Sequence, residues 1–175
     1  MKFFKGILKI IITIMIFSLF ISGCDETKET ETLSPRNPIS LPDNIIIYKN
    51  GVQAEVDKKD SRFKQIVSLT NKRLSSKTAT VLDHIDDKAV EQLKKDTLGL
   101  EFIYSTEHNL SIKSYGFTPF KYYRLFFPLI NDMKENKQRH ITDCLQHGDK
   151  EHYLNSSRGP LVDSKELIEL LKNYK

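Results

Sequence analysis

The chain has 175 residues, of which 39% are hydrophobic and 29% are charged, and its formal net charge is +4 at pH 7. Three of its 27 basic residues and none of its 23 acidic residues lie before position 24, so the rest of the chain is nearly neutral. This balance argues against nucleic acid as the main partner, and the length suits one domain with a sizeable core.

The first 24 residues have the pattern of an export signal. Lys2, Lys5 and Lys9 form a basic start, and Ile10–Ile21 is apolar apart from one threonine and one serine. An apolar run of about 12 residues suits a secretory signal and is too short to cross roughly 30 Å of hydrocarbon.

The signal ends in Ile21-Ser22-Gly23-Cys24. This ending resembles the lipobox of bacterial lipoproteins, which has a branched aliphatic residue, two small residues and a cysteine. The resemblance implies cleavage between Gly23 and Cys24 and a diacylglycerol on the Cys24 sulfur, because a thiolate is the nucleophile that takes the lipid. It also implies a lipid-anchored protein on the extracytoplasmic face of the cell membrane. The alternatives are an ordinary secretory signal with an unrelated cysteine, and an uncleaved helix.

The sequence predicts three parts: a signal peptide at 1–23, a lipidated cysteine and disordered tether at 24–42, and a single globular domain at 43–175. Asp25–Pro42 is rich in acidic residues, threonine and proline, which favours disorder because little can be buried. If Cys24 carries the lipid, Cys144 has no partner for a disulfide within the chain.

The globular domain begins with a predicted β-hairpin. Residues 44–49 are β-branched and aromatic, and residues 52–56 return as the second strand. Asn50-Gly51 between them is typical of a tight turn, in which both central residues take positive φ.

Three helices are predicted from capping residues and apolar spacing. The first follows Asp60, and the second follows Asp86 or Asp87, with Val90 and Leu93 facing inward. The last has Asp163 and Glu166 at the spacing of a capping box and ends near residue 172.

Further strands are predicted at 79–85, 98–105, 110–114, 122–129, 139–146 and 151–154, with a loop at 156–160. Apolar residues on both faces of 122–129 indicate a central strand, with Pro128 at its end because proline cannot donate to the ladder. The order predicts an α+β fold, in which an antiparallel sheet of about five to seven strands carries two to three helices on one face.

The cluster His140, Cys144 and His147 has the residue types of a metal site or of a cysteine nucleophile with its base. Its spacing matches no standard zinc pattern. We therefore predict no metal and no catalytic residue there, but a buried cysteine between solvated histidines.

Two further places in the sequence hold residues that could carry chemistry. His84, Asp86 and Asp87 form either an acid–base or metal group or, more simply, the start of a helix. Glu101 lies in an apolar strand, where it is either a buried carboxylate or, as we predict, faces water on an edge of the sheet.

Five aromatic residues are the candidate ligand-binding set. Because aromatic rings beside positive charges bind glycans, peptides or headgroups, their position next to Lys121 and Arg124 predicts recognition. The alternative is a sheet core entered through an aromatic turn. The five residues are Tyr115, Phe117, Phe120, Tyr122 and Tyr123.

The segment Ser157-Arg158-Gly159-Pro160-Leu161 before the last helix resembles a turn in small uncharacterised lipoproteins of Gram-positive bacteria, a family that implies no activity. We predict a non-enzymatic binding or accessory module of the cell envelope. Its expected partners are the membrane, through the lipid, and an envelope protein, peptide or glycan. One alternative is an envelope hydrolase or metal-dependent enzyme using residues 140–152, and another is a structural or immunity-like protein.

Overall fold

The computed structural model describes residues 38–74, 79–81, 85–111, 119–131, 143–162 and 164–174. These residues form seven strands and three helices. The strands are β1 (Asn44–Lys49), β2 (Val52–Val56), β3 (Ala79–Val81), β4 (Thr97–Leu110), β5 (Phe120–Asn131), β6 (Leu145–Gly148) and β7 (Tyr153–Gly159); the helices are α1 (Ser61–Arg73), α2 (Asp87–Asp96) and α3 (Lys165–Lys172).

All seven strands belong to one sheet in the order β2-β1-β4-β5-β6-β7-β3. Every neighbouring pair is antiparallel. The predicted α+β class, with an antiparallel sheet and two to three helices, is confirmed. None of the helices in the described part of the chain has the length and apolar character needed to cross a membrane.

The hairpin of β1 and β2 has the predicted turn. Asn50 and Gly51 have φ values of 50° and 77°, and Lys49 pairs with Val52 across the turn. Asparagine and glycine tolerate these angles better than other residues, so the local sequence fixes the register of this edge.

The main core lies on one face of the sheet, beneath α1 and α3. β4 places Leu98, Leu100, Phe102 and Tyr104 on this face, as their alternation predicts. Helix α1 begins at the predicted N-cap, where the Asp60 carboxylate accepts a hydrogen bond from the Arg62 backbone N–H at 2.9 Å. The N-cap of α3 is Ser164, one residue later than the predicted capping box; Asp163 lies outside the described residues.

Helix α2 covers the opposite face, so the prediction of helices on one face only is wrong. Its N-cap is Asp86, one of the two predicted candidates, which accepts a hydrogen bond from the Ala89 backbone N–H at 2.9 Å. Val90 and Leu93 point inward as expected and pack in a second, smaller core. The other buried members of that core are Tyr48, Ile85, Phe126 and Tyr153.

The C-terminal strands differ most from their predicted positions. β6 covers Leu145–Gly148, whereas the strand was predicted at 139–146, and β7 continues to Gly159 through residues predicted as a loop. The pairing of Leu145 with Arg158 and of Gln146 with Ser157 shows that a neighbouring strand stabilises this polar segment. Residues 112–114 of the predicted strand at 110–114 lie outside the described residues.

Pro128 lies inside β5 and not at its end. It is opposite Gly99, next to a register shift in the pairing with β4. A proline is tolerated there because the ladder is already interrupted at a bulge.

The ordered domain begins before Pro42, so the predicted tether ends too late. Ile39 is 2% exposed and lies in the main core. The Asn71 side chain accepts a hydrogen bond from the Ile39 N–H at 2.8 Å and donates one to the Ile39 carbonyl at 3.1 Å. Residues 24–37 of the predicted tether lie outside the described residues.

Candidate functional site

The predicted aromatic ligand-binding set does not form a surface in the described structure. Phe120 and Tyr122 are 7% and 1% exposed and belong to the main core, which contradicts the prediction for these two residues. Tyr123 is half-buried, with Lys150 Nζ 5.0 Å from the centre of its ring. Tyr115 and Phe117 lie outside the described residues.

The predicted His140, Cys144 and His147 cluster is only partly described. Cys144 is buried, as predicted, and His140 lies outside the described residues. His147 is 2% exposed, so the prediction of a solvated histidine is wrong for it. The described residues contain no group of three or more histidine, cysteine, aspartate or glutamate side chains able to hold a metal ion.

His147 belongs instead to a buried cluster with Phe120, Ser156 and Arg158, which we call the arginine–histidine cluster. The His147 and Phe120 rings stack with centroids 4.1 Å apart, and Arg158 Cζ lies 5.0 Å from the Phe120 centroid. Ser156 Oγ is 3.1 Å from His147 Nε2. β6 and β7 bring these side chains to one face, since the register shift after Gln146 sets His147 opposite the stretch containing Ser156.

Burial sets the electrostatics of this cluster. The pKa of His147 is lowered to about 4 by loss of hydration and, second, by the positive charge of Arg158. The imidazole is therefore neutral at pH 7. Burial also lowers the pKa of Arg158, but a guanidinium stays charged at neutral pH. The cluster thus carries a single positive charge.

A second buried polar group lies between α2 and the sheet. It consists of Glu101, Lys94, Tyr48 and Tyr153, and we call it the carboxylate cluster. Lys94 Nζ lies 3.2 Å from a Glu101 carboxylate oxygen, and their side chains are 7% and 3% exposed. The Tyr48 hydroxyl donates to Glu101 at 2.6 Å, and the Tyr153 hydroxyl donates to the other oxygen. Glu101 therefore has donors on both oxygens.

The prediction that Glu101 faces water on a sheet edge is wrong. Its strand position lies between Ile46 of β1 and Phe126 of β5, in the interior of the sheet. Burial, followed by the contact with Glu101, raises the pKa of Tyr48 and of Tyr153 well above the ordinary value. Both hydroxyls thus remain protonated donors, and the carboxylate cluster is satisfied from within the protein.

An exposed acid–imidazole pair adjoins the carboxylate cluster. Asp87 accepts a hydrogen bond from the Tyr153 backbone N–H, which lowers the pKa of that carboxyl, and lies 2.8 Å from His152 Nδ1. The His152 side chain is 68% exposed. Asp86 is an N-cap, as the simpler interpretation predicted, and His84 lies outside the described residues.

Sequence reasoning missed both clusters as units. It named Glu101 and His147 but not Lys94, Tyr153 or the charge of Arg158. One sequence feature could have indicated the Lys94–Glu101 pair: Lys94, near the end of a predicted helix, comes seven residues before Glu101 in the following strand. Arg158 gave no such signal, because its segment was predicted to be a loop.

The comparisons do not add to this description. No protein-family model, no curated protein and no solved structure matches the chain.

Tyr122→Ala should lower the free energy of unfolding by about 3–5 kcal/mol, because it removes a buried ring from the main core. Urea denaturation measures the change. The matched control is Tyr123→Ala on the same strand, which is half-buried and should cost less. Equal losses for the two variants would contradict the placement of Tyr122 in the core.

Glu101→Gln should destabilise the protein by about 3–5 kcal/mol, because the buried Lys94 ammonium loses its buried carboxylate and keeps only Glu91, whose side chain is 58% exposed. Adding Lys94→Met should recover most of this loss, since the unpaired charge is then removed. Glu107→Gln is the control: it breaks the exposed pair with Lys121 and should cost less than about 1 kcal/mol. Additive losses in the double variant would contradict a coupled pair.

The free energy of unfolding should fall as pH decreases from about 6.5 to about 4. Between the unfolded pKa of 6.5 and the folded pKa of about 4, the unfolded His147 binds more protons than the folded one. The loss from this group should reach at most about 3 kcal/mol and be complete below pH 4.

Urea denaturation across this pH range tests the effect. His147→Gln should flatten the pH dependence, whereas His152→Gln, which removes an exposed imidazole, should keep it. An unchanged pH slope in His147→Gln would contradict a neutral buried imidazole.

Proposed function

We propose that the protein is a lipid-anchored binding module of the cell envelope, held on the extracytoplasmic face of the membrane. One observation carries the proposal: a basic start, an apolar run of signal length and Ile21-Ser22-Gly23-Cys24 occur together in the first 24 residues. Cleavage before Cys24 makes this residue the N-terminus and the site of the diacylglycerol.

The energetics of lipid insertion support a lasting attachment. Each buried CH₂ group contributes about 0.8 kcal/mol, and one acyl chain gives only marginal, reversible binding. A diacylglycerol supplies two chains on one sulfur. The anchor therefore holds the domain at the surface without a membrane-spanning helix in the mature protein.

A binding role is supported by the chemistry of the buried cysteine and histidine. A cysteine nucleophile needs access to substrate and a basic partner. Cys144 is 4% exposed, and burial disfavours proton uptake by His147, whose pKa is about 4. These properties disfavour the alternative of an envelope hydrolase or metal-dependent enzyme using residues 140–152, which remains a prediction, as does a structural or immunity-like role.

The near-neutral charge agrees with an envelope partner. Once residues 1–23 are removed, 24 basic and 23 acidic residues remain. A protein, peptide or glycan suits such a chain better than nucleic acid, which requires a strongly basic surface. The proposed module has no cofactor besides the covalent diacylglycerol on Cys24.

Metabolic labelling with a fatty acid tests the anchor. The wild-type protein should incorporate label and fractionate with membranes, whereas Cys24→Ala should do neither. Cys144→Ala is the matched control, because it removes the other cysteine of the chain and should keep full labelling. Label on the Cys24→Ala protein would refute lipidation at this residue, and mass spectrometry of the N-terminal peptide would locate the modification.

A further inference from the structure

Arg158 is a buried charge without a counter-ion in the described structure. The residue is 7% exposed, and its guanidinium donates from Nη1 to the Ser157 carbonyl at 3.3 Å. Its Nε has no hydrogen-bond acceptor, and it makes no salt bridge, among the described residues. Burying a charge is costly unless it is paired, so an uncompensated guanidinium indicates an anion that completes the site.

Lys94 shows what a compensated buried cation looks like in the same chain. It is 6% exposed, as deeply buried as Arg158, and has the carboxylates of Glu101 and Glu91 within 3.2 Å and 2.9 Å. Two cations at similar depth thus differ in their electrostatic partners. The difference lies in the carboxylate, which the chain provides for Lys94 and does not provide for Arg158 among the described residues.

The neighbours of Arg158 add polar groups to the same place. His147 is 2% exposed, and its Nδ1 has no hydrogen-bond partner among the described residues, although Nε2 contacts Ser156 Oγ at 3.1 Å. Phe120 holds both side chains, with the imidazole stacked at 4.1 Å and the guanidinium carbon at 5.0 Å from its centroid. This packing restricts the rotamers and so reduces the entropy cost of binding.

We propose that Arg158 and His147 form a binding site for the carboxylate group of a ligand. The guanidinium offers parallel N–H donors that match the two oxygens of a carboxylate. The neutral His147 adds a donor from Nδ1 in the tautomer that leaves Nε2 to accept from Ser156. The cluster charge of +1 matches a monovalent carboxylate better than a phosphate dianion. This site goes beyond the proposed anchor and does not depend on it.

The strand indicates the side from which the ligand enters. Residues 154, 156 and 158 of β7 lie on the same face of the strand, because side chains two residues apart point the same way. Leu154 is 44% exposed, Ser156 is half-buried and Arg158 is 7% exposed, so accessibility falls steadily along the strand. A ligand that enters from the Leu154 end places its apolar body on Leu154 and its carboxylate at Arg158.

Acetate is the simplest probe of the site. The full chain in nonionic detergent is titrated at pH 7 with sodium acetate, with sodium chloride at matched ionic strength and with sodium phosphate, while NMR follows the His147 imidazole signals. We expect a saturable shift with acetate, none with chloride and weaker binding of phosphate. No saturation with acetate would overturn the proposal, and tighter binding of phosphate would overturn the choice of a carboxylate.

Arg158→Met should weaken acetate binding by about ten- to a hundredfold, the loss expected for charge-assisted hydrogen bonds. Arg158→Lys keeps the charge but lacks the paired N–H donors of the guanidinium, so it should give an intermediate loss of acetate affinity. This variant tests the role of Arg158 if the methionine variant does not fold. Arg124→Met is the matched control: it removes the same charge from β5, where the guanidinium contacts the Lys150 carbonyl, and should leave acetate binding unchanged. Unaltered affinity in both Arg158 variants would overturn the site.

Thermal unfolding separates a ligand site from a purely structural arginine. Acetate should raise the melting temperature of the wild type and not that of Arg158→Met. In chloride alone, the methionine variant should be at least as stable as the wild type, because an unpaired buried charge has been removed. A variant that folds but melts well below the wild type in chloride would show that Arg158 is structural, which overturns the proposal.

Discussion

The buried salt bridge between Lys94 and Glu101 connects α2 to the face of the sheet that lies opposite the main core. Lys94 lies near the end of α2 and Glu101 lies near the start of β4, and Thr97 joins the helix to the strand by donating to the Leu93 carbonyl at 2.6 Å. The chain therefore turns directly from helix to strand and places the ammonium over the carboxylate. Because a buried charge without its partner is costly, this pair allows few other positions for α2.

Because α2 covers one face of β4 and the main core lies on the other, the two faces of this strand differ in composition. One face contributes Leu100 and Phe102 to the main core, while Glu101 lies on the opposite face, which α2 covers. Gly99 is part of the same arrangement, since a Cβ atom there would lie 2.7 Å from the Phe126 ring. A small residue in β4 thus makes room for the large ring that packs against Tyr48 and Tyr153 in the second core.

Local sequence patterns predicted what local interactions decide. The Asn50-Gly51 turn and the caps at Asp60 and Asp86 depend on a few neighbouring residues, and all three are confirmed. Burial of Glu101 depends on a helix that packs across the sheet, which alternation alone does not specify. The aromatic residues Phe120 and Tyr122 have the same pattern in a core as in a binding surface, so only the tertiary structure separates the two interpretations.

The proposed ligand site likewise depends on tertiary structure, because it lies on β7. Its residues Ser156, Ser157 and Arg158 have low strand propensity and were predicted as a loop, yet pairing with β6 carries them into the sheet. A sheet core has no need of a guanidinium there, because an apolar side chain would fill the same space beside Phe120 without the cost of a buried charge. The chain offsets that cost at Lys94 with two carboxylates and leaves it uncompensated at Arg158 among the described residues. The carboxylate of the proposed ligand would balance this charge.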